Sequence, residues 1–417
     1  MPLFPMARRV TGLLLTILLV PALALSQDDP VANFISEAAS IWTDGGDEPL
    51  STYLGEHPVL VGAVVWKLLD VAIEVGDAGN KKDETENVEF AELVARLHKE
   101  KTGSTAPLDL VKAYQGWGDA ERARRGEAKK LEAQATEARN ADDLPKSEQL
   151  LLQAKTIYEE IGDKHSGAVI FGSLGVVYWY AGDLDGVIGH YKNALQARRE
   201  VEDRILEGRT LNGLGSAHLE KGDNKTAIDF YQQAVALRRE TQDLGGLGTS
   251  LTYLGNTYSQ MGRVLKARTH LEEAVPILEA SGRADLMVDN LTAVANLYSH
   301  MGQPASANQS YRKAIEIAAA TEQPGKQAVS CIHLGTNLRL VGRYNEALEQ
   351  FDAAKKLLDD NPDASVTAVL YRARGLTYLA IGEMDQARDD LLECLKLTKE
   401  FDNPSPQIEA QLNIGYL

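Results

Sequence analysis

From about residue 130 onward, apolar and small residues recur with two superposed periods. Leu251, Leu254, Gly255 and Tyr258 follow the i, i+3, i+4, i+7 spacing of one helix face. Ala267, Leu271, Ala274, Ile277 and Leu278 mark a second helix. Gly262 lies between them and predicts the end of the first helix, because glycine enters the left-handed region without steric cost. The longer period is 40 residues. Gly175, Gly215, Gly255, Gly335, Gly375 and Gly415 stand 40 or 80 apart, and Ala295 fills the gap. A second glycine column runs through Gly182, Gly222, Gly262, Gly302, Gly342 and Gly382. Further columns hold Tyr191, Tyr231, Leu271, Tyr311, Phe351 and Leu391, and then Ala194, Ala234, Ala274, Ala314, Ala354 and Cys394. The pattern predicts helical hairpins with small residues where paired backbones approach closely. A helix of about 14 residues is roughly 21 Å long. Two of them share a single buried face, so each hairpin must stack on its neighbours.

These columns set the domain organisation. Residues 169–407 form six full repeats, and 129–168 form a degenerate capping repeat in which Ala135, Leu151 and Ala154 keep the register. Residues 27–128 do not follow the period. Val59 to Ile73 reads as a buried helix, and 87–99, 106–115 and 119–139 read as further helices of an N-terminal helical cap. Asn80 to Glu86 reads as a charged, solvated linker. Gly415 places residues 408–417 in the first helix of another repeat, so the sequence is expected to be a fragment of a longer protein.

The N-terminus adds a destination. Arg8 and Arg9, the apolar run Val10 to Val20, and the small residues Ala24 and Ser26 have the layout of a secretory signal, with cleavage expected between Ser26 and Gln27. The run is short for a membrane span, so membrane attachment is expected only through an uncleaved signal, and the mature chain is expected to be exported, periplasmic or secreted. The formal charge of −17 repels phosphate backbones and excludes nucleic acid as a natural partner.

Leu254-Gly255, Tyr258, Ala267, Leu271 and Ala274 together resemble the tetratricopeptide repeat. The 40-residue length and the phrase Leu254-Gly255-Asn256-Thr257-Tyr258 resemble the longer subclass of Leu-Gly-Asn-type adaptors and kinesin light chains. The resemblance covers about two-thirds of the chain, and departs from the pattern at Ala295, His218, Leu338 and Arg374. Arg374 replaces a column leucine and is expected to mark a looser unit. The resemblance implies an all-α, right-handed α-solenoid of stacked antiparallel hairpins that binds a protein or peptide along a concave groove lined by the first helices. With the column glycine as position eight, the exposed inner positions are two, five, nine, twelve and thirteen. They hold Arg209, Asn212, Asn256, Asn296, Arg339, Arg372 and Trp179. Asn256 and Asn296, one repeat apart, would hold a peptide backbone, since an amide both donates and accepts. Val176, Trp179 and Tyr180 make an apolar patch that is either a contact hot spot or the seat of the N-terminal cap. Exported bacterial proteins of this kind also resemble the TPR–CHAT proteins, in which a caspase-like peptidase domain follows the repeats. That implies a regulatory alternative, and stacked ends imply a self-assembly alternative.

No catalytic role is assigned to these residues. The eight histidines lack the His-Glu-x-x-His spacing of a metal site. His218 reads as a packed residue in a tyrosine column. Cys331 and Cys394 sit in apolar columns, where a buried thiol is inert. Gly245-Gly246-Leu247-Gly248 has no preceding strand and reads as an inter-repeat turn rather than a phosphate loop. The expectation is a non-enzymatic scaffold with no cofactor and no metal.

Overall fold

A computed structural model of the protein describes residues 30–57 and 60–399. The expected signal segment 1–26, its Ser26-Gln27 cleavage site and the expected further helix at 408–417 lie outside the described residues. Among the described residues every regular element is helical, and nineteen helices stack as hairpins in an all-α solenoid. The chain divides into two compact units, 1–250 and 251–417.

The first unit opens with α1 (Pro30–Gly45), α2 (Asp47–Glu56), α3 (Val61–Asp77), α4 (Lys81–Thr102) and α5 (Ala106–Gln115). Their shared core includes Phe34, Leu54, Val64, Leu68, Phe90, Val94 and Tyr114. The hairpins follow as α6 (Asp119–Asn140) with α7 (Leu144–Glu160), α8 (Lys164–Tyr180) with α9 (Leu184–Glu200), and α10 (Arg204–Glu220) with α11 (Asn224–Glu240). The stretch expected to be a linker at Asn80–Glu86 is the start of α4. Asn80 caps it by accepting from the Asp83 amide at 3.3 Å. Glu84 is buried and charged, and takes hydrogen bonds from Lys81 at 2.8 Å, Tyr114 at 2.9 Å and Arg122. A run of charges suggested solvent, but an arginine 38 residues away makes one of them a structural centre.

The N-terminal helices grip the turns between hairpins. Trp66 of α3 stacks on His165 with ring centres 4.3 Å apart, and the Trp117 indole donates to the Ile161 carbonyl at 2.8 Å. Arg125 of α6 joins Asp70 of α3 at 2.9 Å to Asp163 at 3.0 Å. Ser104 donates to Glu202 at 2.5 Å, two turns further along. The contacts at Ile161, Asp163 and His165 lie at the start of α8, whereas Trp179 and Tyr180 stand at its far end. The apolar patch is therefore not the seat of the cap, and Trp179 and Tyr180 remain exposed.

The boundary between the units falls within α12 (Leu244–Gln260), which continues to α13 (Val264–Ala280). The second unit then holds α14 (Ala284–His300) with α15 (Pro304–Ala320), α16 (Pro324–Leu340) with α17 (Tyr344–Asp360), and α18 (Ala364–Ile381) with α19 (Met384–Lys399). Gly245, Gly246 and Gly248 lie within the first five residues of α12 rather than in a loop, and the Gly246 amide donates to Asp243 at 2.8 Å. Arg374 is firmly held, not loose: it pairs with Asp390 through Nε at 2.8 Å and Nη2 at 2.9 Å, and reaches Asp352 at 3.0 Å.

The turns keep strict time. Gly182, Gly222, Gly262, Gly302, Gly342 and Gly382 all adopt φ between 69° and 87°, so the glycine column ends the first helices as its spacing predicts. The second helices end at Gly162, Glu202, Gln242, Gly282 and Glu322 in the same left-handed region, although three of these are not glycine. Aspartates at 143, 163, 183, 203 and 223 then cap the next helix by accepting the amide three residues on.

Candidate binding surface on the first helices

Close packing of each hairpin is built from the glycine column. A Cβ on Gly215 would stand 2.6 Å from the Tyr231 ring, and one on Gly335 would stand 2.6 Å from the Phe351 ring. The small residue lets an aromatic side chain fill the space between paired helices. Exposure then repeats along the first helices. Positions nine and twelve are half-buried in most repeats, and thirteen is exposed, while position ten between them is buried.

Position five behaves differently from its expected role. Asn212 is buried, and the Ser250 hydroxyl donates to its amide oxygen at 3.0 Å. The same link joins Asn290 to Thr252 at 2.9 Å and Thr292 to Ser330 at 3.3 Å. These polar rungs tie position five of one first helix to position three of the next. The expectation that Asn212 is an open groove residue is thus corrected, because the neighbouring helix covers it and uses its amide.

Position nine is split by the residue facing it. The Tyr311 hydroxyl donates to Asn296 Oδ1 at 2.5 Å, and Ser216 pairs with Tyr231 at 3.0 Å. Asn256 is half-buried, but its hairpin carries Leu271 in the tyrosine column, so no hydroxyl engages it among the described residues. Its amide keeps both its donor and its acceptor available. Arg339 is half-buried and has no partner for Nε among the described residues; burial, with Arg372 nearby, pushes its pKa below the ordinary arginine value. Arg372 is half-buried beside it, and Arg209 is exposed on α10.

One residue at this surface was not legible as such. Arg198 belongs to a second helix, α9, yet its guanidinium reaches the first helices. Nη1 donates to the Leu206 carbonyl at 3.0 Å and to the Thr210 hydroxyl. Thr210 is the position-three end of a rung whose position-five partner is Gly172, which has no side chain. The arginine fills that gap. The coincidence of a glycine at position five with an arginine on the second helix is the signal that could have found it.

His218 is packed, stacking on Phe230 at 5.5 Å. Cys331 and Cys394 are buried, and burial pushes the Cys331 thiol up to about 11. Among the described residues no group of three or more His, Cys, Asp or Glu is placed to hold a metal ion, and no helix is long and apolar enough to cross a membrane.

The tetratricopeptide repeat family matches residues 188–240, 247–320 and 328–400, and a second match to that family covers 170–205. Together these span more than half of the sequence, and the chain belongs to the tetratricopeptide repeat family, whose members bind protein or peptide partners. Among solved structures, it is similar to the apo form of RapI at 15% identity and a TM-score of 0.53, covering 66% of this chain and 98% of that one. It is also similar to aspartyl phosphate phosphatase F from Bacillus subtilis at 12% identity and a TM-score of 0.50, covering 89% and 94%. A third is the signal transduction ATPase with a tetratricopeptide repeat sensor from Pyrococcus horikoshii, at 17% identity and a TM-score of 0.50, covering 84% and 51%. At such identities the likeness is one of fold. No curated protein matches the sequence significantly.

Proposed function

We propose that the inner positions of the first helices in the second unit hold a segment of a partner protein, and that the chain is a binding scaffold without catalysis of its own. The observation that carries this reading is Asn256. A half-buried amide with no partner among the described residues has the donor and acceptor that a peptide backbone needs, and Asn296, whose Oδ1 already accepts from Tyr311, repeats the amide donor one hairpin on. Random peptides displayed on phage and selected on the full chain supply the probe. Asn256→Ala with Asn296→Ala is expected to weaken the selected peptides by roughly tenfold, about 1.4 kcal/mol. Equal affinity for the double variant, measured by fluorescence anisotropy, refutes the role of these amides. We further propose, from the signal-like layout of residues 8–26, that the protein works after export. Intact mass of the chain recovered from producing cells is expected to start at Gln27, and a chain retaining Met1 overturns that.

A further inference from the structure

Arg198 is the one arginine of the first unit that is almost fully buried and has no carboxylate within ion-pairing distance among the described residues. It is 6% exposed, and its Nε has no hydrogen-bond partner. Its counterpart one repeat on, Arg238, has Asp243 at 3.8 Å. The equivalent acid for Arg198 is Asp203, but that carboxylate is taken by His165 Nε2 at 2.8 Å and by the Leu206 amide at 2.9 Å. Removing a guanidinium from water without a bonded counter-charge is unfavourable, and burial lowers the pKa of Arg198 to about 10.

The unpaired side of the guanidinium points to the inner surface. Nη2 comes within 2.6 Å of the place a Cβ on Gly172 would occupy. Gly172 is half-exposed at position five, so the missing side chain opens a window onto Nη2. Arg209, exposed on the adjacent first helix, acts electrostatically on the same guanidinium. Along the helix from Gly172, Val176 and then Trp179 follow on one face. Trp179 is seven residues away, or about 10 Å at the helical rise. A positive recess therefore lies beside an exposed aromatic ring, on a chain whose net charge is −17.

We infer that Arg198, seen through the gap at Gly172, and Arg209 form, within the first unit, a carboxylate-binding recess for an acidic side chain of a partner segment, with an apolar residue of that segment about 10 Å away on Trp179. The inference rests on the peptide-scaffold reading, carries it to the first helices of the first unit, and specifies the partner there as acidic and amphipathic. A carboxylate supplies the bonded counter-charge that Asp203, acting on Arg198 only through space, does not, and Nη2, which makes no hydrogen bond among the described residues, presents its N–H donors to it.

The test uses the same display selection on the full chain. Selected peptides are expected to carry Asp or Glu at a fixed place, with an apolar residue about three positions away. Changing that acid to its amide in a synthetic, labelled peptide is expected to weaken binding at least tenfold. Arg209→Gln, on an exposed residue, and Gly172→Ala, which displaces Nη2, are each expected to weaken it several-fold with the circular-dichroism melt of Arg209→Gln unchanged. Selected peptides without an acidic position, or with equal affinity for both variants, overturn the inference. If such peptides still lose affinity on Asn256→Ala with Asn296→Ala, the scaffold reading stands and only the acidic recess falls. Failure to enrich any peptide overturns both.

Discussion

The glycine column can be tested by one substitution made in two backgrounds. A Cβ on Gly255 would lie 2.6 Å from Leu271 Cγ, 2.9 Å from its Cδ2 and 3.2 Å from the Ala267 carbonyl oxygen. Carbon atoms rest at about 3.5–4.0 Å, so Gly255→Ala forces the paired helices apart by roughly 1 Å or pushes Leu271 off its rotamer. Overpacking of this kind costs about 1–3 kcal/mol. Alanine in a helix interior gains about 0.8–1.0 kcal/mol over glycine. The clash outweighs that gain over most of its range, and the net loss is up to about 2 kcal/mol. Leu271 is fully buried, so Leu271→Ala alone costs about 2–5 kcal/mol. It also removes the two closest atoms. In that background Gly255→Ala keeps the propensity gain and fills part of the cavity, so it should stabilise by about 1 kcal/mol. The assay is urea unfolding followed by circular dichroism, with midpoints compared at a common slope. A Gly255→Ala effect of the same sign in both backgrounds would falsify the close-approach account of this column.

Two further predictions concern buried charge. Asp390→Ala leaves the Arg374 guanidinium half-buried with only the exposed Asp352 to meet it, and should destabilise by roughly 2–3 kcal/mol. The pair Arg374→Leu with Asp390→Leu should return to within about 1 kcal/mol of the parent in the same urea assay; a double variant as weak as Asp390→Ala contradicts this. Burial pushes the Glu84 carboxyl up, but the bonds from Lys81, Arg122 and Tyr114 outweigh it and lower the pKa from 4.5 to about 2. A depressed carboxylate stabilises the fold above its unfolded pKa and loses that contribution as pH falls toward 2. Glu84→Gln should therefore cost at most about 3 kcal/mol at pH 7, less where solvent screens the cluster, and should flatten the stability curve between pH 4.5 and 2. An acid limb identical to that of the parent counts against the cluster.

The hairpins were legible because their cause is local and repeated. A small residue at Gly255 and a turn glycine at Gly262 carry information within one helix pair, and seven registers reinforce each other. What escaped depends on partners far along the chain. Glu84 looked solvated because its partner Arg122 lies on another helix. Asn212 looked available because nothing in its own helix shows that Ser250 covers it. Arg198 sits on a second helix, where an inner-surface role has no periodic signature. Glu202, Gln242 and Glu322 adopt left-handed turns without the glycine that would announce them, since the flanking helices impose the geometry. Asn256 and Asn296 were equivalent by position, and became distinct only through the facing Leu271 and Tyr311.

The left-handed residues fall every 20 positions from 142 to 342, with helices of 17 residues between most of them. A joint of constant length means that one 40-residue module can be removed or duplicated and leave its neighbours joined by the same turn. The N-terminal helices fasten to α6 through Arg122, Arg125 and Lys129, and to the turns near 161–165 and 202–205. Evolution could lengthen or shorten the partner-facing wall in whole steps while leaving the clasped beginning untouched, adjusting how many residues of a ligand are read without redesigning how any one is read.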